Sequence, residues 1–287
     1  MRFLHRSLFV YLGAAFLGVA SPGFCDESRK APQVEEVSKS TDGVDLNASK
    51  VAAPSTPQTP RVKVAVYKGD GASSSRKKVI AVLEKQPDFL IRDITVDEIK
   101  AGKLDEFDVL IHPGGSGGGQ GRALGEEGRA AEKKFIEAGG GYIGVCAGAY
   151  LATCDYEWSL GILDAKVVDR EHWARGFGEV KIGLADKSKD VLGAAPGQKP
   201  IYYHQGPLLA PASNPDIPDY EELAKFETEI AKNGATPGVM TGCTAIAIGN
   251  FKDGRVLCFS PHPEHDSPTE SMLVKAVEWA AEVRKSK

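Results

Sequence analysis

Residues 139–154 read GGGYIGVCAGAYLATC. A short apolar run leads into a single thiol, Cys146, with small residues on either side. A cysteine in such surroundings is a good small core residue, and burial is one reading of it. The other is a nucleophile elbow of the form G-x-nucleophile-x-G, here Gly144 to Gly148, in which a strand turns sharply into a helix. Small neighbours let the backbone double back, and the helix N-terminus favours a thiolate. Free N–H groups at that helix start would also face the space beside the sulfur. Three things separate the readings: a strand before the thiol, a helix after it, and a base within reach.

Outward from this stretch, apolar segments alternate with helical ones. VKVAVYKG (62–69), FLIRDIT (89–95), FDVLIHPGG (107–115) and YIGVC (142–146) read as strands. SSSRKKVIAVLEK (73–85) and EEGRAAEKKFIEAGGG (126–141) have helical spacing. The alternation predicts a mostly parallel sheet covered by helices on both faces. Ligands of such sheets sit at the carboxyl ends of the strands. Two glycine-rich strand ends arrive there, HPGGSGGGQG (112–121) and GVCAG (144–148). Further β segments follow at AKVVDREHW, GEVKIGL and PIYYHQG, then a hairpin, TAIAIGNFKDGRVLCFS (244–260). A two-residue turn at Asp253-Gly254 would pair Gly249 with Cys258. YEELAKFETEIA (220–231) fits helix or strand, and a C-terminal helix begins near Ser267.

Before this domain, residues 1–25 have the basic start, apolar middle and small-residue end of a secretory signal. Residues 26–60 are rich in Ser, Thr, Pro, Lys and Glu and read as a flexible linker. The domain is expected over 61–287, in an exported (periplasmic or secreted) protein without stable membrane insertion once the signal is removed. With 35 Lys and Arg against 39 Asp and Glu, net charge −4, and no basic block, nucleic acid is not an expected partner. No CxxC or CxxH spacing indicates zinc, and HPGGSGGGQG lacks the Lys-Ser/Thr ending of a phosphate loop. No metal or cofactor is expected.

The candidate base lies at FSPHPEHD (259–266), where Pro263 alone separates His262 from Glu264. In extended backbone, residues two apart share a face, so the carboxylate would hold the imidazole. The alternative is an exposed strand end. Tyr203 and His204 are substrate contacts or core groups, and Arg175 is either a carboxylate clamp or part of a solvated loop.

HPGGSGGG, GGGYIGVCAGAYLA, YYHQGP and SPHPE together resemble the biotin-protein ligase N-terminal domain family, within the class I glutamine amidotransferase-like superfamily. The resemblance implies a flavodoxin-like α/β fold with a C-terminal β-hairpin and helix. It implies Cys146 as nucleophile, His262 as base, Glu264 as orienting acid, and the N–H groups of Gly115 and Ala147 as an oxyanion hole. Glutamine-using members read C-x-G-x-Q, and Tyr150 stands at the Gln position. The expected function is a cysteine hydrolase acting through a thioester on a small amide or peptide-like substrate. The alternatives are a non-catalytic binding module of the same fold and a redox thiol protein.

Overall fold

The strand β1 (Val62–Tyr67) opens the part of the chain that the structure, a computed structural model, describes: residues 62–285. The expected signal segment and linker lie outside the described residues. The chain continues through α1 (Ser75–Leu83), β2 (Phe89–Ile94), α2 (Val96–Lys100) and β3 (Val109–His112). Then come α3 (Gly117–Glu137), β4 (Gly141–Val145), α4 (Ala147–Ala152) and β5 (Ala165–Val167). The second half holds β6 (Phe177–Leu184), α5 (Ser188–Leu192), β7 (Gly197–His204), β8 (Leu209–Pro211) and β9 (Glu221–Phe226). The hairpin β10 (Thr244–Phe251) and β11 (Gly254–Phe259) and the helix α6 (Ser267–Lys285) complete it.

The sheet runs β2-β1-β3-β4-β11-β10-β9-β6-β7. From β2 to β11 every pairing is parallel, and from β11 to β7 every pairing is antiparallel. The parallel half is what continuous apolar strands predict, because both faces must be covered. Alternation along each strand feeds two cores. Val64, Val66, Val109, Ile111, Ile143 and Val145 join α1 and α6 on one face. Ala65, Tyr67, Leu110 and Tyr142 join α2, α3 and α4 on the other.

Three local expectations are corrected. In the segment 220–231, which fits helix or strand, Glu221–Phe226 forms a strand, β9, that pairs with both β10 and β6. The hairpin turn is Lys252-Asp253, with Lys252 at φ 53°, and Cys258 faces Ala247 rather than Gly249. Gly254 serves close packing instead of the turn: a Cβ there would lie 2.1 Å from the Ile136 carbonyl oxygen. The glycine-rich stretch after β3 is also helical from Gly117, capped by Ser116, which accepts from the Gly119 N–H at 3.1 Å. Its lack of side chains lets Trp158 pack close; a Cβ on Gly121 would meet the Trp158 carbonyl at 2.2 Å.

Beneath the site lies a buried polar cluster that periodicity does not reveal. His112, at the end of β3, bonds Gln120 Oε1 and Glu132 Oε1, each at 2.9 Å, and stacks between Tyr67 and Tyr142. The Tyr142 hydroxyl in turn donates to the Gly148 carbonyl at 2.8 Å, tying this cluster to α4.

Candidate active site

Cys146 sits between β4 and α4 with φ 50° and ψ −95°, outside the conformations non-glycine residues favour. Such strain costs on the order of 1–3 kcal/mol and persists only where the surroundings over-determine it. Here they do. The Cys146 N–H donates to the Phe259 carbonyl at 2.8 Å, and the Cys146 carbonyl accepts from the Tyr150 N–H at 3.1 Å. The flanking glycines permit the turn: a Cβ on Gly148 would lie 2.3 Å from the His112 carbonyl oxygen, and one on Gly144 would meet Gly148 at 2.6 Å. The predicted elbow therefore forms, although α4 ends at Ala152 and leaves Cys154 beyond it. The four described cysteines are free thiols.

The candidate base lies just beyond β11. His262 Nδ1 lies 2.8 Å from Glu264 Oε1, and both residues are buried. The backbone between them is a turn, not the extended segment expected. The His265 N–H donates to the His262 carbonyl at 3.2 Å, with Pro263 at the first corner. The Thr269 hydroxyl, from α6, braces this turn by donating to the Pro263 carbonyl at 2.9 Å. Glu264 Oε1 also accepts from the Ser75 hydroxyl at 2.6 Å, and Ser75 Oγ accepts from the Gly114 N–H at 3.0 Å. The carboxylate is thereby tied to the loop after β3. Sequence reading missed Ser75, because a serine run at a helix start signals only a cap.

The other ring nitrogen of His262, Nε2, is buried without a conventional hydrogen-bond partner. Burial pulls the His262 pKa down, but the charge and hydrogen-bonding of Cys146, followed by those of Glu264, push it up to about 10. Burial raises the Glu264 carboxyl, yet His262 and Ser75 hold it below its ordinary value. The Cys146 thiol also reaches the His204 carbonyl at 3.3 Å. The candidate oxyanion donors are the N–H groups of Gly115, whose φ is 147° and which lines one cavity with Cys146, and of Ala147, the first residue of α4. Neither has an acceptor among the described residues.

A cavity of about 470 Å³ opens over Cys146. His262, Gly115, Tyr150 and His204 line it, with Arg122, Tyr156, Trp158, Arg170, Trp173 and Gln205. The Tyr150 hydroxyl donates to the Gln205 carbonyl at 3.2 Å. Burial, followed by the charges of His262 and His265, keeps His204 below its ordinary pKa. Two expected substrate contacts are corrected. Tyr203 is fully buried, its hydroxyl donating to the Gly206 carbonyl at 2.8 Å and its ring against Phe226. Strand alternation is the reason: Tyr203 faces the core while His204, one residue on, reaches the cavity. Arg175 is 1% exposed and donates to Asp169 at 2.6 Å, while Lys232 N–H bonds its carbonyl at 2.9 Å. It pins the loop that carries Arg170 and Trp173 and does not line the cavity. The described residues contain no cluster of His, Cys, Asp and Glu able to hold a metal.

With this geometry in hand, residues 62–174 match the family model described as "Biotin-protein ligase, N terminal". That stretch is similar to the N-terminal part of biotin-protein ligases. The match ends before His262 and Glu264, and the fold over the longer span rests on solved structures. PurLQS from Thermotoga maritima aligns at TM-score 0.56 and 15% identity, over 76% of this chain and 98% of that one. A protein assigned as one subunit of GMP synthase, from Thermoplasma acidophilum, aligns at 0.53 and 16%, over 78% and 96%. A ThuA-like protein from Bacteroides uniformis aligns at 0.53 and 17%, over 79% and 95%. No curated protein matches the sequence. Likeness at such identities concerns the backbone alone.

Proposed function

We propose that the chain is an exported cysteine amidase. The observation that carries this reading is the convergence of Glu264, His262 and Cys146, with His262 strongly favoured in its protonated form beside the sulfur. The Cys146 thiolate attacks the carbonyl carbon of an amide, and the Gly115 and Ala147 N–H groups receive the developing oxyanion. His262 then gives its proton to the departing amine, leaving a thioester on Cys146. Water, deprotonated by His262, hydrolyses the thioester and returns the thiol. Glu264 fixes the imidazole tautomer and orientation throughout. Tyr150, at the position where glutamine-using relatives carry Gln, argues against free glutamine as the substrate. Export rests on the sequence of residues 1–25.

The test is the rate at which iodoacetamide modifies Cys146 in the full chain, followed by peptide mass spectrometry across pH. The wild type is expected to react at pH values well below the ordinary thiol range, and His262→Ala to abolish that early phase. Identical profiles for the two proteins would refute the amidase reading in favour of a binding module that keeps the elbow as architecture.

A further inference from the structure

The cavity over Cys146 has a chemical character that the catalytic groups do not require. Among the described residues no Asp or Glu lines it, whereas Arg122 and Arg170 both do. Arg122 has no carboxylate partner among the described residues, and its guanidinium lies against the start of α3, where a Cβ on Gly118 would be 2.9 Å away. The helix N-terminus there adds positive potential of the same sign. Arg170 is held over the Tyr156 ring at 4.2 Å, and Tyr156 stacks on Trp158 with centroids 4.4 Å apart. Asp155, 3.5 Å from Arg170, offsets one of the two positive charges and leaves the other unmatched. Trp173, which lines the cavity, and Phe177, whose ring lies 5.0 Å from that of the lining residue His204, are exposed by 54% and 57% and add apolar surface around it.

A cavity of about 470 Å³ is in the range that encloses ligands far larger than an amino acid. Its walls offer flat apolar surface, and its uncompensated charge is positive. We infer that the substrate is an amide carrying both an aromatic or otherwise flat apolar group, seated against Tyr156 and Trp158, and a carboxylate, seated on Arg122 with Arg170 beside it. An N-acyl amino acid or the acidic end of a short peptide has this chemistry. The inference rests on the amidase reading for the bond that is cut, but the recognition it describes is independent of turnover. Guanidinium groups favour carboxylate through charge-assisted hydrogen bonds, and the arginine-capped aromatic stack provides a rigid face at low entropic cost.

Two probes isolate the carboxylate: N-benzoylglycine and its neutral analogue N-benzoylglycinamide share the benzoyl group. Each is titrated against modification of Cys146 by iodoacetamide in the full chain. The acid is expected to protect at a concentration about tenfold lower than the amide, equivalent to about 1.4 kcal/mol. Arg122→Gln is expected to remove most of that preference and Arg170→Gln part of it, while Tyr156→Leu weakens both probes alike. Thermal unfolding of each variant checks that the fold is retained. Equal protection by acid and amide, a preference that survives both arginine substitutions, or no protection up to the solubility limit would overturn the inference. Early reaction of Cys146 without acid preference sinks the recognition alone. A slow, His262-independent thiol with intact preference sinks the amidase reading and leaves a pocket for anionic ligands.

Discussion

Replacing Cys146 by Ser tests the electrostatic core of the site. Burial by itself lowers the His262 pKa, yet Cys146 and Glu264 together raise it from 6.5 to about 10. That net rise of about 3.5 pKa units corresponds to about 5 kcal/mol at 1.36 kcal/mol per unit. Because burial opposes it, the raising contributions exceed the net rise. Those of Cys146 are larger than those of Glu264, so Cys146 supplies more than half. A serine hydroxyl carries no charge at these pH values, so the His262 pKa in Cys146→Ser is expected to fall from about 10 back toward its ordinary value. The sign of the linked stability follows. A raised histidine contributes stability that is fully present below about 6.5 and is lost as pH rises through its folded value near 10. In the serine variant this alkaline loss should be smaller and complete at lower pH. Imidazole nitrogen NMR reads the titration directly, and urea midpoints from neutral to strongly alkaline pH read the stability. A wild-type His262 titrating at or below 6.5, or a serine variant within about half a pKa unit of wild type, would refute the reasoning.

Ser75→Ala should destabilise by about 1–3 kcal/mol in urea unfolding, because it strips a partner from the Gly114 N–H and from the buried Glu264 carboxylate. Ser75 also helps lower the Glu264 pKa. The stability Glu264 provides, present above its ordinary pKa and lost as pH falls through its folded value, should therefore be smaller in this variant and vanish at higher pH. Gly254→Ala forces a Cβ to within 2.1 Å of the Ile136 carbonyl oxygen. It is expected to cost about 1–3 kcal/mol of overpacking, seen as a lower thermal midpoint. Arg175→Met should cost about 3 kcal/mol by leaving Asp169 without its buried partner. It should also speed proteolysis within residues 168–176, whereas a loop as resistant as wild type would contradict the pinning role.

The elbow was legible because strand, thiol, small residues and helix are neighbours in the chain, although two of the contacts that hold it, to the Phe259 and His112 carbonyls, come from distant segments. The His262–Glu264 pair was legible by spacing, although the backbone that joins them is a turn and not a strand. Arg175 and Tyr203 were misplaced for one reason. Their chemistry suits a pocket, but which side of a strand or loop a residue faces depends on what packs against it. Ser75, Arg122, Trp158 and Arg170 carried no local mark at all. Ser75 reaches Glu264 from α1, and the other three reach the cavity from α3 and the loops on either side of β5, segments far apart in sequence.

By itself, then, the sequence determined the alternation of apolar strands and helices, the parallel half of the sheet, the strained thiol and the pairing of His262 with Glu264. Each of these follows from residue type and short spacing. Only the tertiary structure decided the register of the hairpin, the burial of Arg175, the tether from Ser75 to Glu264 and the aromatic, positively charged walls over Cys146. Those depend on contacts between distant segments, and no local period encodes which distant side chains will share one cavity.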